Sequence, residues 1–149
     1  MLGLCASGAL VGGCGTVDLG DNIVPPDLAL DEDFFFCRIQ PEVIEMHSCA
    51  GGGMGEGGMC HTSRSAMRLA DAVMLGDSVT CDDEDRVTGA VPASYMQNLE
   101  AVRFTVQSDA LSSPFYRRPV GLDSHPREIF GEGDAAADLI VQWISMGAM

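Results

Sequence analysis

The chain of 149 residues contains no lysine: its eight basic residues are all arginine, set against 22 Asp and Glu, for a formal net charge of −14. So acidic a surface repels phosphate backbones, which argues against a nucleic-acid partner. It favours solubility and suits docking to the basic face of a protein partner. None of the six cysteines, at 5, 14, 37, 49, 60 and 81, belongs to a Cys-x-x-Cys pair, so a cysteine-rich zinc site is not expected. No Gly-x-Ser-x-Gly elbow is present to build a serine nucleophile. The acidic run Asp82-Asp83-Glu84-Asp85 lacks the alternating ligands and turn glycine of a calcium loop and reads as a solvated loop. Beyond the N-terminus, no stretch approaches the roughly 20 apolar residues that span a bilayer. There is no internal repeat and no convincing strand.

What is present begins with an apolar leader, residues 1–13, followed at once by Cys14. Val11-Gly12-Gly13-Cys14 resembles the lipobox of bacterial lipoproteins: a branched aliphatic and two small residues before a cysteine that takes the lipid. The leader is short and lacks a basic n-region, as a start codon placed too late would explain. The expectation is export to the bacterial cell envelope, with membrane contact only through a lipid on Cys14, in the periplasm or at the outer membrane. Residues 14–31, with Pro25-Pro26 and several Gly and Asp, read as an extended linker. A single domain over 32–149 follows, and its four remaining cysteines suit an oxidising compartment.

The domain reads as all-α, with three to five helices and long loops. Asp31 is a candidate N-cap, with Glu32 and Asp33 at the positive helix end. Phe36, Ile39, Val43 and Met46 recur at helical spacing, and Pro41 should kink or restart that helix. Ala50–Met59 holds six glycines in ten residues and reads as a pliant loop. A helical turn is expected through Ala66-Met67, and residues 76–90 should be turn-rich. Pro92 to Val106 should be helical, with Tyr95, Leu99, Val102 and Val106 on one face. Residues 108–133 read as irregular. Asp134 should cap a last helix in which Leu139/Trp143 and Ile140/Ile144 lie one turn apart and which Gly147 ends.

Chemistry concentrates at Cys60-His61. A Cys followed directly by His is the second half of the c-type haem attachment sequence, usually Cys-x-x-Cys-His. Two thiols add across the porphyrin vinyl groups, and the neighbouring imidazole is held under the iron. Here the upstream thiol would be Cys49, a spacing that requires the glycine-rich segment to bulge out. The residues alone equally allow a Cys49–Cys60 disulfide with His61 as a surface histidine. Four body cysteines permit three pairings.

Phe36-Cys37-Arg38-Ile39-Gln40-Pro41, then Cys49, Cys60-His61 and Arg68-Leu69, then Ser113-Pro114-Phe115-Tyr116-Arg117-Arg118-Pro119, His125-Pro126 and Phe130, and last Trp143-Ile144-Ser145-Met146-Gly147-Ala148, resemble in order the small c-type cytochrome domains carried on bacterial lipoproteins. The resemblance covers residues 33–148. It implies a cytochrome c-like fold whose N- and C-terminal helices pack crosswise, and one covalent haem c on Cys49 and Cys60. His61 would be the proximal iron ligand and His125 the distal one. It implies a monohaem electron carrier serving redox partner proteins. A methionine or an open distal face are the alternatives to His125; Met96 reads as helix-face core, and His47 is poorly placed, two residues from Cys49. An open face would suit peroxidase chemistry. If haem takes Cys49 and Cys60, Cys37 and Cys81 would be left to form a disulfide. Arg64 and Arg68 are candidates to pair with the haem propionates. The rival is a haem-free, disulfide-stapled surface lipoprotein with a structural or binding role.

Overall fold

The computed structural model describes residues 28–51, 61–62 and 65–148; the leader, Cys14 and the 15–27 segment lie outside them. Among the described residues the architecture is helical and without strands; a lone bridge joins Cys81 to Val87.

Asp31 starts the first helix as its sequence suggests, its Oδ1 accepting from the Phe34 amide at 2.9 Å. One α-turn, α1 (Glu32–Phe34), runs directly into a π-helix, Phe35–Glu45. Pro41 lies inside it, so the helix passes through the proline instead of restarting. In an α-helix the proline ring strikes the carbonyl four residues back; the wider i→i−5 turn relieves that clash. Phe36, Ile39 and Val43 are buried as their spacing predicts, and the widening brings further residues to the same face. Phe35, Ile39 and Ile44, spaced by four and then five, are fully buried. Met46, which a 3.6-residue period places in the core, is 71% exposed.

The rest follows as α2 (Ala72–Leu75), α3 (Ala93–Arg103), a 3₁₀ turn (Ala110–Ser112), α4 (Pro114–Arg117) and α5 (Ala135–Gly147). On α3 and just beyond it, Tyr95, Leu99, Val102 and Val106 are all buried as expected. The stretch expected to be irregular contains α4, started by Pro114 at its first position. No helical turn forms through Ala66-Met67; residues 65–67 are bends, because the Ser65 hydroxyl donates to the Met67 carbonyl at 2.6 Å in place of a helical ladder.

The core is closed by α5 against the first helix. Trp143 is fully buried, its ring 5.1 Å from Phe35 and 6.2 Å from Phe115. Its indole N–H donates to the Asp31 carbonyl at 2.8 Å, so the tryptophan satisfies the backbone at the helix start. Asp134 stands at the N-cap position, but its carboxylate accepts from the Gly131 amide at 2.7 Å instead of capping α5. Gly147 does not end α5 by a left-handed residue; it lies within the last turn, where a Cβ would sit 2.8 Å from Leu30 Cδ2 and 3.0 Å from the Leu30 backbone. Leu30 is buried there and Leu28 packs beside it, so residues 28–31, expected to be linker, include packed core.

Cys37 and Cys81 form a disulfide that closes a separation of 44 residues. It joins the π-helix to the acidic loop, and Arg38 adds a second link through Asp85 at 3.1 Å. The loop is organised internally: the Asp82 carboxylate accepts from the amides of Glu84 and Arg86.

Gly147→Ala is expected to lower stability by about 1–3 kcal/mol, because the new methyl must displace Leu30 backbone. Urea denaturation of both proteins measures it; an unchanged midpoint would show that the Leu30 segment yields freely. The double variant Cys37→Ser/Cys81→Ser is expected to lose about 2–4 kcal/mol, read as a lower melting temperature that reductant shifts only in the wild type.

Candidate functional site

A buried amide network fixes the segment that follows His61. Gln40, on the π-helix, and Asn98, on α3, are both fully buried. Asn98 Nδ2 donates to Gln40 Oε1 at 3.0 Å, and the Asn98 side chain pairs with both the N–H and the C=O of Ala70, at 2.6 and 3.1 Å. Gln40 Nε2 in turn donates to Glu45 at 3.0 Å. Buried polar groups of this kind are costly unless each finds a partner, so the satisfied set specifies one arrangement of its elements. One residue before Ala70, the Leu69 amide donates to the His61 carbonyl at 2.8 Å. His61 is thereby tied through Leu69-Ala70 to α3 and the π-helix.

His125 arrives from the other side. It belongs to the loop between α4 and α5, whose neck is closed where Ile129 and Phe130 donate to the Pro119 carbonyl at 2.8 and 3.4 Å. The rings of His61 and His125 lie 6.1 Å apart, centre to centre, with planes inclined by 16°. Residues 64 positions apart in sequence are thus juxtaposed.

Both rings are held by Nδ1. His61 Nδ1 meets Ser65 Oγ at 2.8 Å. The single hydroxyl proton of Ser65 is committed to the Met67 carbonyl, so Oγ accepts and His61 Nδ1 donates. His125 Nδ1 meets the Arg127 carbonyl at 2.6 Å, an oxygen that can only accept. In the neutral form of each ring, therefore, the lone pair resides on Nε2. Burial, aided by the charges of His125 and Arg118, lowers the His61 pKa below its ordinary value and keeps this ring neutral at pH 7; a hydrogen bond to the Met67 backbone opposes the shift.

Cys49 lies at the end of the first helical segment, its amide bonded to the Ile44 carbonyl at 2.9 Å in the same i→i−5 pattern. Its thiol is not in a disulfide and points toward the Val43 carbonyl at 3.8 Å. Burial pushes the thiol pKa up to about 11, against an opposing pull from Arg127. Cys49 and His125 thus share Arg127 as a neighbour. Cys60 and the glycine-rich residues 52–59 lie outside the described residues, as does Arg64.

The remaining candidates lie away from this pair. His47 packs on Phe130 with ring centres 4.9 Å apart. Met96 is 40% exposed on α3 rather than core, and Met146 is also exposed. Arg68 donates to the Thr62 carbonyl at 3.1 Å. Among the described residues no group of three or more His, Cys, Asp or Glu side chains could hold a metal ion by itself, and no helix is long and apolar enough to cross a membrane. Sequence reasoning did not find the Nδ1 partners. Ser65, four residues after His61, is a weak signal; the Arg127 carbonyl has none, since any residue carries one.

No protein-family model matches the chain, and comparison with curated proteins and with solved structures returns no match.

Burial also depresses the His47 pKa, against the opposing charge of Asp134. The folded state therefore prefers neutral His47. Its contribution to stability is complete above the unfolded value near 6.5 and is lost as pH falls through the lower folded value. His47→Gln should flatten the fall in unfolding free energy between pH 7 and 5; equal slopes for variant and wild type would remove His47 from that dependence.

Proposed function

We propose that the protein is an electron-transfer monohaem c-type cytochrome, exported and lipid-anchored through Cys14 in the bacterial envelope. The observation that carries this reading is the His61–His125 pair. Both rings are clamped through Nδ1, which orients a ligating histidine and leaves Nε2 as the donor atom. With ring centres 6.1 Å apart, these two histidines would be the residues to hold the iron of a bound haem. Two imidazole donors alone make an incomplete site for a free ion, whereas His61 and His125 would suffice as the protein's share in holding a haem iron.

The donor set therefore fits a haem. Cys49 and Cys60 would hold it through thioethers, His61 as proximal and His125 as distal ligand. Bound there, haem would supply one-electron chemistry at low potential, as bis-histidine ligation favours. The chain's own work is to fix geometry. Ser65 and the Arg127 carbonyl orient the two rings. The Gln40–Asn98–Ala70 network anchors the His61 segment, and the Pro119 carbonyl closes the neck of the His125 loop. Both ring orientations are set within the fold, so a change of redox state demands little rearrangement of the ligands, which suits electron relay. The contact of α5 with the first helix, sealed by Trp143, is in keeping with a cytochrome c-like arrangement of crossed terminal helices. The acidic surface suits redox partner proteins with a basic docking face.

The rival is a disulfide-stapled lipoprotein in which Cys49 and Cys60 are bonded. Intact mass decides between them. Protein made with the cytochrome maturation machinery should carry roughly 600 Da of covalent haem and give a pyridine haemochrome spectrum. His125→Ala should then open an axial position and make the spectrum respond to carbon monoxide, while the wild type does not. Mature protein without haem, two disulfides lighter by about four hydrogens, would end the proposal.

A further inference from the structure

The two limbs of the His125 loop are fastened in different ways. The returning limb is held by the core: Phe130 is buried, Ile129 packs against the same cluster, and both amides donate to the Pro119 carbonyl. The outgoing limb has no such support. Residues 121–124 are all exposed, so burial does not fix their path. This limb turns away from α4 at Gly121, whose φ is +79°, and must deliver His125 to a position 6.1 Å from the His61 ring.

Arg117, the last residue of α4, supplies the missing hold. Its Nε and Nη2 donate to the two carboxylate oxygens of Asp123 at 2.9 and 3.0 Å, as a fork. Nη2 also reaches the Leu122 carbonyl at 3.5 Å, and Nη1 the Leu111 carbonyl at 3.4 Å, in the 3₁₀ turn before α4. One planar group thus ties the outgoing limb to two helical elements of the body. The backbone adds to the grip, since the Arg117 carbonyl accepts from the Leu122 and Asp123 amides at 2.9 and 3.3 Å. Among the described residues no other side chain bonds to residues 121–124. Asp123 stands two residues before His125.

We infer that Arg117 and Asp123 are positioning residues for His125: their fork fixes the outgoing limb of the loop and with it the seat of the imidazole beside His61. This deepens the haem reading above, and rests on it for the ligand role of His125. An exposed ion pair adds little to global stability, so the work of this one is local. The bond that orients the His125 ring, to the Arg127 carbonyl, lies inside the loop and travels with it. It sets which way the ring faces and does not hold the loop against the body. The fork does cross from loop to body. Its loss leaves the fold intact and lets the loop swing outward more often, carrying its histidine along.

The test compares the full-length wild type with Arg117→Gln, Asp123→Asn and the double variant, all made with the maturation machinery. Pyridine haemochrome of the wild type decides the haem reading by itself. Amide exchange read by NMR decides the clamp, with or without haem. Relative to their intrinsic rates, the Leu122 and Asp123 amides should exchange about fivefold faster in each variant, the upper end for an exposed pair. Amides of α5 and the melting temperature should stay as in wild type. With haem bound, cyanide should displace His125 from the ferric protein about fivefold faster, from an unchanged starting Soret band. In a haem-free chain, cross-relaxation between the His61 and His125 ring protons should weaken instead. The double variant should be no faster than either single one, because the two residues act through one contact. Unchanged loop exchange in both single variants overturns the inference. So does an unchanged cyanide rate or ring contact, a double variant whose effects simply add, or a loss confined to the melting temperature.

Discussion

The contact between the C-terminal helix and the first helical segment governs the rest of the molecule. Trp143 fills the space beside Phe35 and spends its only polar atom on the Asp31 carbonyl. That carbonyl belongs to the residue whose side chain starts the helix. One aromatic side chain thus seals the core and satisfies the backbone where the helix begins. Gly147 permits the approach by omitting a Cβ where Leu30 would meet it. With α5 and the π-helix held together, α3 and the loop bearing His125 have fixed surfaces to pack on.

Polar groups divide the remaining work. At the surface, ion pairs such as Arg117–Asp123 contribute little individually. Inside, the Gln40–Asn98 pair is of a different kind: each amide is dry, and losing either would strand its partners. The disulfide acts on the unfolded chain, shortening the ensemble that must search for the π-helix and the acidic loop at once. The three devices constrain different boundaries of one small core, and the amide network alone reaches the Leu69-Ala70 segment bonded to His61.

Much of this was legible in the amino-acid pattern. The N-cap at Asp31, the buried stripe on α3 and the burial of Leu139, Ile140, Trp143 and Ile144 follow from periodicity and capping chemistry. The His61–His125 contact joins two residues that an ordered resemblance singles out, and the Cys37–Cys81 bond was expected conditionally on that resemblance. What escaped has physical reasons. A 3.6-residue period cannot reveal a π-helix, so Met46 was placed inside. Gly147 looked like a helix stop because a glycine needed for close approach and one needed for a left-handed turn are written with the same letter. The Ser65 and Arg127 contacts depend on the path of the backbone, which no local pattern encodes.

The environment of Cys49 sets an order of events. Folding raises its thiol from an ordinary value of 9.0 to about 11, which reduces the reactive thiolate about a hundredfold at neutral pH. The same side chain is a competent nucleophile in the open chain and a nearly inert one once packed against the Val43 carbonyl. Any bond that Cys49 forms through its thiolate is therefore in a race with collapse of the core. A chain that folds early closes its own chemistry.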